Sequence, residues 1–210
     1  MSGIEEIAQA VEAGKHKIIT DLVSAALDEG IEPLSILNDG MIGAMSVVGE
    51  KFQKSEIFVP EMLIAAKTMK KGLEILRPKL GSDAAISRGL CIIGTVYGDL
   101  HDIGKNLVAL MIESAGFEVI DLGVDVQIET FIEKIKENPS VKLVALSCLL
   151  TTTMPALQKT TEAIKSSGLE GFKLIVGGAP VTNDFAEKIG ADGYSPDAAS
   201  AADLAKRLTA

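Results

Sequence analysis

Apolar residues in the first 80 positions recur every three or four residues, which is the spacing of one face of an α-helix. This pattern predicts helices over residues 4–13, 15–29, 33–52 and 60–76. A proline opens the third and fourth segments, where the missing N–H of proline costs no helical hydrogen bond. Four amphipathic helices with short connections predict a four-helix bundle over residues 1–80.

After residue 88, apolar runs alternate with helical segments. The predicted strands cover residues 90–96, 118–122, 141–147, 173–176 and 192–194, and the predicted helices cover 103–115, 127–138, 154–167, 181–189 and 197–208. Such alternation predicts an α/β domain with a parallel sheet over residues 89–210. Five strands favour the flavodoxin-like (Rossmann-type) order 2-1-3-4-5 over a six-stranded dinucleotide fold. The intervening residues 81–88 contain Gly and Ser and are predicted to be a linker.

Composition and charge exclude several classes of function. The net charge is −9 and no stretch is basic, which argues against binding to nucleic acid. No apolar run approaches the ~20 residues that span a bilayer, and the acidic N-terminal segment lacks the apolar core of a signal peptide. We therefore expect a cytoplasmic protein that binds neither nucleic acid nor membrane. Cys91 and Cys148 fall in predicted strands, where we expect buried thiols rather than a disulfide.

The loop after the first predicted strand contains a carboxylate and an imidazole two residues apart, Asp99 and His101. In the predicted strand order, strands 1 and 3 are neighbours, and the crevice at their carboxyl ends is where such sheets bind ligands. Other loops end at the same edge: Ser147 closes the third strand, Thr151, Thr152 and Thr153 follow it, and Gly177-Gly178 follows the fourth. The sequence thus predicts one site built from three loops.

Each of these residues also has a purely structural explanation. Asp99 suits a helix N-cap, His101 suits a loop surface, Ser147 suits a local bond to the backbone, and the two glycines suit a tight turn. Together, however, they fit a metal-binding imidazole that a carboxylate orients, with Ser147 hydrogen-bonded to Asp99 in turn. A hydrolase triad is disfavoured because no Gly-x-Ser-x-Gly turn is present. A single histidine is a poor zinc site, which leaves a metal held mainly by a macrocycle.

Three motifs carry a resemblance to a known family. In order, they are Asp99-x-His101-x-x-Gly104, Ser147-x-Leu149 and Gly177-Gly178. They resemble the signature of the cobalamin-binding domain of methyltransferases and some mutases. Residues 48–52 and 57–62 are similar to the helical cap that precedes this domain in methionine synthase. The chain as a whole resembles the stand-alone corrinoid proteins of methanol, methylamine and O-demethylase methyltransferase systems.

The resemblance implies a cobalamin or related corrinoid bound base-off/His-on. His101 would be the lower axial ligand of cobalt in place of the cofactor's own base, Asp99 would hydrogen-bond His101, and Ser147 would hydrogen-bond Asp99. The remaining implied cofactor-binding residues are Gly98, Leu100, Asp102, Ile103 and Gly104 on the first loop, Leu149, Thr151 and Thr152 on the second, Gly177 and Gly178 on the third, and Phe58 and Met62 as an apolar shield in the cap.

The resemblance also implies a function as a methyl carrier. A substrate-specific methyltransferase would load the methyl group, and a second methyltransferase would pass it to tetrahydrofolate or coenzyme M. An ATP-dependent reductive activator would restore oxidised cobalt, and the linker would be the hinge on which the cap moves. Three alternatives remain: a cobalamin-responsive sensor or regulatory module, the cofactor-binding subunit of a radical mutase, and a flavodoxin-like module that binds something other than cobalamin. Bound methyl- or hydroxocobalamin would favour the carrier, and adenosylcobalamin would favour either of the first two alternatives.

Overall fold

The computed structural model describes residues 3–80 and 88–210, which form two compact units, one helical and one built on a sheet. Except for Arg88, the predicted linker at 81–88 lies outside the described residues. Within the described part of the chain, no helix combines the length and the apolar character needed to cross a membrane.

The helical unit differs in detail from its prediction. It contains α1 (Gly3–Glu12), α2 (Ile19–Asp28), α3 (Pro33–Ser35), a π-helical segment (Ile36–Ile42), α4 (Gly43–Gln53), α5 (Val59–Leu76) and a final 3₁₀ turn (Arg77–Lys79). Helix α2 begins four residues later than predicted, because the chain first turns at Gly14, whose φ is +65°. Helix α5 begins one residue earlier than predicted, with the Glu61 carboxylate accepting a hydrogen bond from the Phe58 N–H at 3.0 Å.

The predicted helix over residues 33–52 is helical throughout but is not a uniform α-helix. Its π-helical segment has a wider turn than the α-helix, which displaces the residues that follow around the helix axis. The buried residues of this segment are Ile36, Leu37, Gly40, Met41 and Ile42. Gly40 packs closely against α1, since a Cβ added there would lie 3.2 Å from the Ile7 side chain.

The sheet unit follows its prediction to within two residues at each boundary. It contains β1 (Leu90–Thr95), α6 (Ile103–Ser114), β2 (Glu118–Asp121), α7 (Ile128–Glu137), β3 (Val141–Ser147), a 3₁₀ turn (Thr151–Thr153), α8 (Met154–Ser166), β4 (Lys173–Gly177), α9 (Asn183–Lys188), β5 (Gly193–Tyr194) and α10 (Ala198–Leu208). The strands are parallel in the order β2-β1-β3-β4-β5, which confirms the predicted topology.

The register of the sheet places the carboxyl ends of β1, β3 and β4 next to one another. Thr95 at the end of β1 pairs with Ser147 at the end of β3, which pairs with Gly177 at the end of β4. Strand β1 is buried along its whole length, as expected for a parallel sheet covered on both faces. The loops after β1, β3 and β4 therefore leave the sheet side by side, which confirms that these three loops share one edge.

Candidate functional site

The Asp99–His101 pair lies on the loop between β1 and α6. The chain turns at Gly98, whose φ of +80° is in the left-handed region that favours glycine. The Asp99 side chain is fully buried, whereas the His101 side chain is 49% exposed. His101 Nδ1 lies 2.7 Å from Asp99 Oδ1, and the His101 backbone N–H donates to the same oxygen at 3.1 Å. With Nδ1 donating to a carboxylate, Nε2 keeps the lone pair that a metal requires.

The second oxygen of Asp99 is held by the loop that follows β3. Asp99 Oδ2 accepts hydrogen bonds from the Leu149 backbone N–H and the Thr153 hydroxyl, both at 2.7 Å. The prediction that Ser147 donates this hydrogen bond is therefore wrong. Ser147 is the last residue of β3 and pairs with Thr95 of β1. The 3₁₀ turn that follows β3 brings the Thr153 hydroxyl to the Asp99 carboxylate instead.

These contacts fix the charge of Asp99. Burial by itself raises the pKa of this carboxyl group, because a buried charge loses its hydration. Hydrogen bonds from the Leu149 N–H, the Thr153 hydroxyl and the His101 ring and N–H outweigh that effect and hold the pKa well below its usual range. At neutral pH the imidazole therefore faces an ionised acceptor, which favours the tautomer with the proton on Nδ1.

Large apolar side chains are exposed on the same two loops. Leu100 is 73% exposed and Ile103 is 78% exposed, and the other members of this apolar rim are Tyr97, Leu149 and Leu150. A concentration of exposed apolar side chains marks a binding surface. Gly104 adds open space beside the rim, since a Cβ added there would meet no atom within 4 Å. An apolar rim around a free imidazole nitrogen fits a broad, largely apolar ligand such as a corrin.

Sequence reasoning selected three rim residues and missed Tyr97, Leu150 and the carboxylate partner Thr153. The first two were detectable as apolar residues in loops. Thr153 stands in a run of three threonines, and nothing in the sequence distinguishes it from Thr151 and Thr152. The structure does distinguish them, because Thr151 and Thr152 are exposed and Thr153 is buried.

Gly178 has a packing role that the sequence did not reveal. Its φ is +129°, and a Cβ added there would lie 1.7 Å from the carbonyl oxygen of Cys148. The chain after β4 thus passes directly against the chain after β3, and only glycine fits. The predicted close approach of Gly177 and Gly178 to a cofactor remains a prediction.

The other predicted residues differ in their availability to a ligand. Asp102 is exposed and accepts a hydrogen bond from the Asn106 side chain at 3.2 Å. In the helical unit, Phe58 is 67% exposed, but Met62 is fully buried. A side chain without exposed surface has none to offer a ligand, so Met62 is a core residue in this structure. The role of Phe58 as a shield remains a prediction.

The protein's own side chains do not form a conventional metal centre at this place. Over residues 3–80 and 88–210, no group of three or more His, Cys, Asp or Glu side chains is arranged to hold a metal ion. Cys91 and Cys148 are buried free thiols, which confirms their predicted state.

Comparison with known proteins gives full-length matches. Residues 89–203 match a family described as B12 binding domain, and residues 4–77 match a second family of the same description. The chain is 42% identical to trimethylamine corrinoid protein 2 of Methanosarcina acetivorans, with 98% of each chain covered. A crystal structure of a cobalamin-binding protein from Desulfitobacterium hafniense aligns with a TM-score of 0.82 and 31% identity over 98% of both chains. A chain of the methanol:cobalamin methyltransferase complex from Methanosarcina barkeri aligns with a TM-score of 0.85 and 27% identity, over 99% of this chain and 79% of that one.

Proposed function

Since the chain belongs to the B12-binding corrinoid proteins, we propose that it carries a methyl group on corrinoid cobalt between two methyltransferases. A substrate-specific methyltransferase loads the group, and a second one delivers it to tetrahydrofolate or coenzyme M. An ATP-dependent reductive activator is the third partner. The full-length similarity to a trimethylamine corrinoid protein supports this assignment over a sensor or a mutase subunit.

The observation that carries the proposal is the orientation of His101. Its Nδ1 is engaged by Asp99 at 2.7 Å, so Nε2 is the nitrogen that would bind cobalt. The corrin would supply a cobalt centre that accepts and releases a methyl group. In this proposal His101 would take the place of the cofactor's own base, which is the base-off/His-on mode.

The surrounding residues have defined tasks in this proposal. Thr153 and the Leu149 N–H keep the Asp99 carboxylate in place, and Asp99 keeps the imidazole in one tautomer. The apolar rim covers the ligand's apolar surface and excludes water from the metal. In this proposal the rest of the cofactor lies against Gly98, Asp102, Gly104, Ser147, Thr151, Thr152, Gly177 and Gly178.

The two histidines of the chain, His16 and His101, allow a direct test with a matched control. The protein is produced with ¹⁵N-labelled histidine, reconstituted with hydroxocobalamin, and reduced to the Co(II) state for electron paramagnetic resonance. We expect hyperfine coupling from one ¹⁵N nucleus in the unaltered protein and in His16→Gln, and its loss in His101→Gln. Coupling from the cofactor's own ¹⁴N base in the unaltered protein would refute the proposed ligand.

A second experiment tests methyl transfer. The protein is loaded with methylcobalamin and mixed with a corrinoid:coenzyme M or a corrinoid:tetrahydrofolate methyltransferase, and the visible spectrum is followed. Demethylation that requires the second enzyme and its acceptor would support a carrier. Selective retention of adenosylcobalamin, with no transfer to either acceptor, would instead favour a sensor or a mutase subunit.

A further inference from the structure

Thr95 is a fully buried residue whose hydroxyl reaches the histidine loop. It is the last residue of β1, and its Oγ1 donates to the His101 carbonyl oxygen at 2.9 Å. The hydrogen bond spans six residues and closes the turn that contains Gly98. A buried hydroxyl is held strongly to its partner, because losing that partner leaves a polar group without water.

Asp125, in the loop after β2, makes two further hydrogen bonds to the main chain of this loop. The Gly98 N–H donates to Asp125 Oδ1 at 2.7 Å, and the Asp125 N–H donates to the Asp99 carbonyl oxygen at 3.0 Å. Asp125 is exposed, so water competes for its hydrogen bonds. Thr95, by contrast, is a buried residue of the sheet, and its hydroxyl bonds to His101 itself.

We propose that Thr95 is a positioning residue for His101, an inference that rests on the proposed role of His101 as the cobalt ligand. The hydroxyl fixes the His101 carbonyl relative to the rigid end of β1. The imidazole is then held where its Nδ1 meets the buried Asp99 carboxylate, and Nε2 faces outward. Without the hydroxyl, the His101 carbonyl loses its hydrogen bond to β1, and the His101 N–H keeps only its bond to Asp99 Oδ1. The imidazole then samples orientations in which Asp99 no longer selects the tautomer.

The test measures the tautomer of His101 in the cofactor-free protein. Imidazole ¹⁵N resonances recorded at pH 9 report which nitrogen carries the proton. We expect mainly Nδ1–H in the unaltered protein. Thr95→Val keeps the side-chain shape and removes the hydroxyl. It is expected to lower the Nδ1–H to Nε2–H ratio about fivefold, the factor that corresponds to one hydrogen bond of ~1 kcal/mol.

Thr68 provides a matched control, because it is also fully buried and its hydroxyl also donates to a backbone carbonyl, that of Ile64 at 2.7 Å. Thr68→Val removes the same kind of hydrogen bond in the helical unit and is expected to leave the His101 tautomer unchanged. Thr95→Ser retains the hydroxyl and is expected to restore the ratio. Should valine disturb the packing of β1, the pair Thr95→Ser and Thr95→Ala isolates the hydroxyl again.

An unchanged ratio in Thr95→Val, or an equal change in Thr68→Val, would overturn the proposal. The tautomer measurement uses no cofactor, so its failure concerns Thr95 alone. Absence of ¹⁵N coupling to cobalt in the unaltered protein would instead count against the proposed function. The two failures are therefore distinguishable.

Discussion

Replacing Thr153 with valine removes a single hydroxyl from the buried Asp99 carboxylate and keeps the shape of the side chain. Three hydrogen bonds to Asp99 remain, from the Leu149 N–H and from the ring and backbone of His101. A hydrogen bond to a charged group contributes ~1.5–3 kcal/mol, and water cannot replace it at a fully buried carboxylate. We therefore expect Thr153→Val to lower the free energy of unfolding of the sheet unit by ~1.5–3 kcal/mol at pH 7.

The assay is urea unfolding followed by tyrosine fluorescence. The chain has no tryptophan, and its two tyrosines, Tyr97 and Tyr194, both lie in the sheet unit, so the signal reports that unit alone. Ser147→Ala is the matched control, because it also removes one hydroxyl at this edge but breaks no bond to Asp99. We expect it to change the free energy by less than ~0.5 kcal/mol. An equal effect of both substitutions, or none from Thr153→Val, would refute the assigned hydrogen bond.

The pH dependence of stability follows from the direction of the Asp99 shift. The pKa is lower in the folded than in the unfolded protein, so the stabilisation is fully present above the ordinary Asp value of ~3.9. It is lost as the pH falls from there toward the folded-state pKa. Thr153→Val raises the folded-state pKa of Asp99. In this variant the stabilisation lost on acidification is therefore smaller, and its loss is complete at a higher pH.

Three further experiments test other parts of the sheet unit. The Lys105 ammonium is 2% exposed and lies 2.5 Å from the Asp121 carboxylate. Asp121→Asn removes this counter-ion, so the free energy of unfolding in urea should fall by ~3 kcal/mol. Gly178→Ala should lower the free energy of unfolding by more than ~3 kcal/mol, because the added Cβ overlaps a backbone carbonyl. Gly190 is the control: its φ is +80°, but an added Cβ would meet nothing within 4 Å, so Gly190→Ala should cost only ~1 kcal/mol in the same assay. Burial and the nearby Asp99 charge raise the pKa of Cys148 to about 11, so mass spectrometry should find its thiol unalkylated by iodoacetamide at pH 7.5 until the protein is unfolded.

Sequence periodicity predicted the sheet unit closely, because each of its elements is short, continuous and bounded by polar loops. The strand order followed from the number of strands, and it placed Asp99, His101 and Ser147 at one edge of the sheet. The helical unit was predicted less well. Apolar spacing does not reveal a π-helical segment, and Gly14 delays α2 through a turn that depends on its positive φ.

The sequence by itself determined the fold of the sheet unit, the edge at which the site lies, and the pairing of Asp99 with His101, because two residues on one short loop are close in any compact conformation. Only the tertiary structure decided that Thr153, rather than Ser147, donates to the buried carboxylate, and that Thr95 donates to the His101 carbonyl. These contacts join residues up to 54 positions apart. Their geometry depends on how a turn folds over a strand end, and the order of residue types along the chain does not specify it.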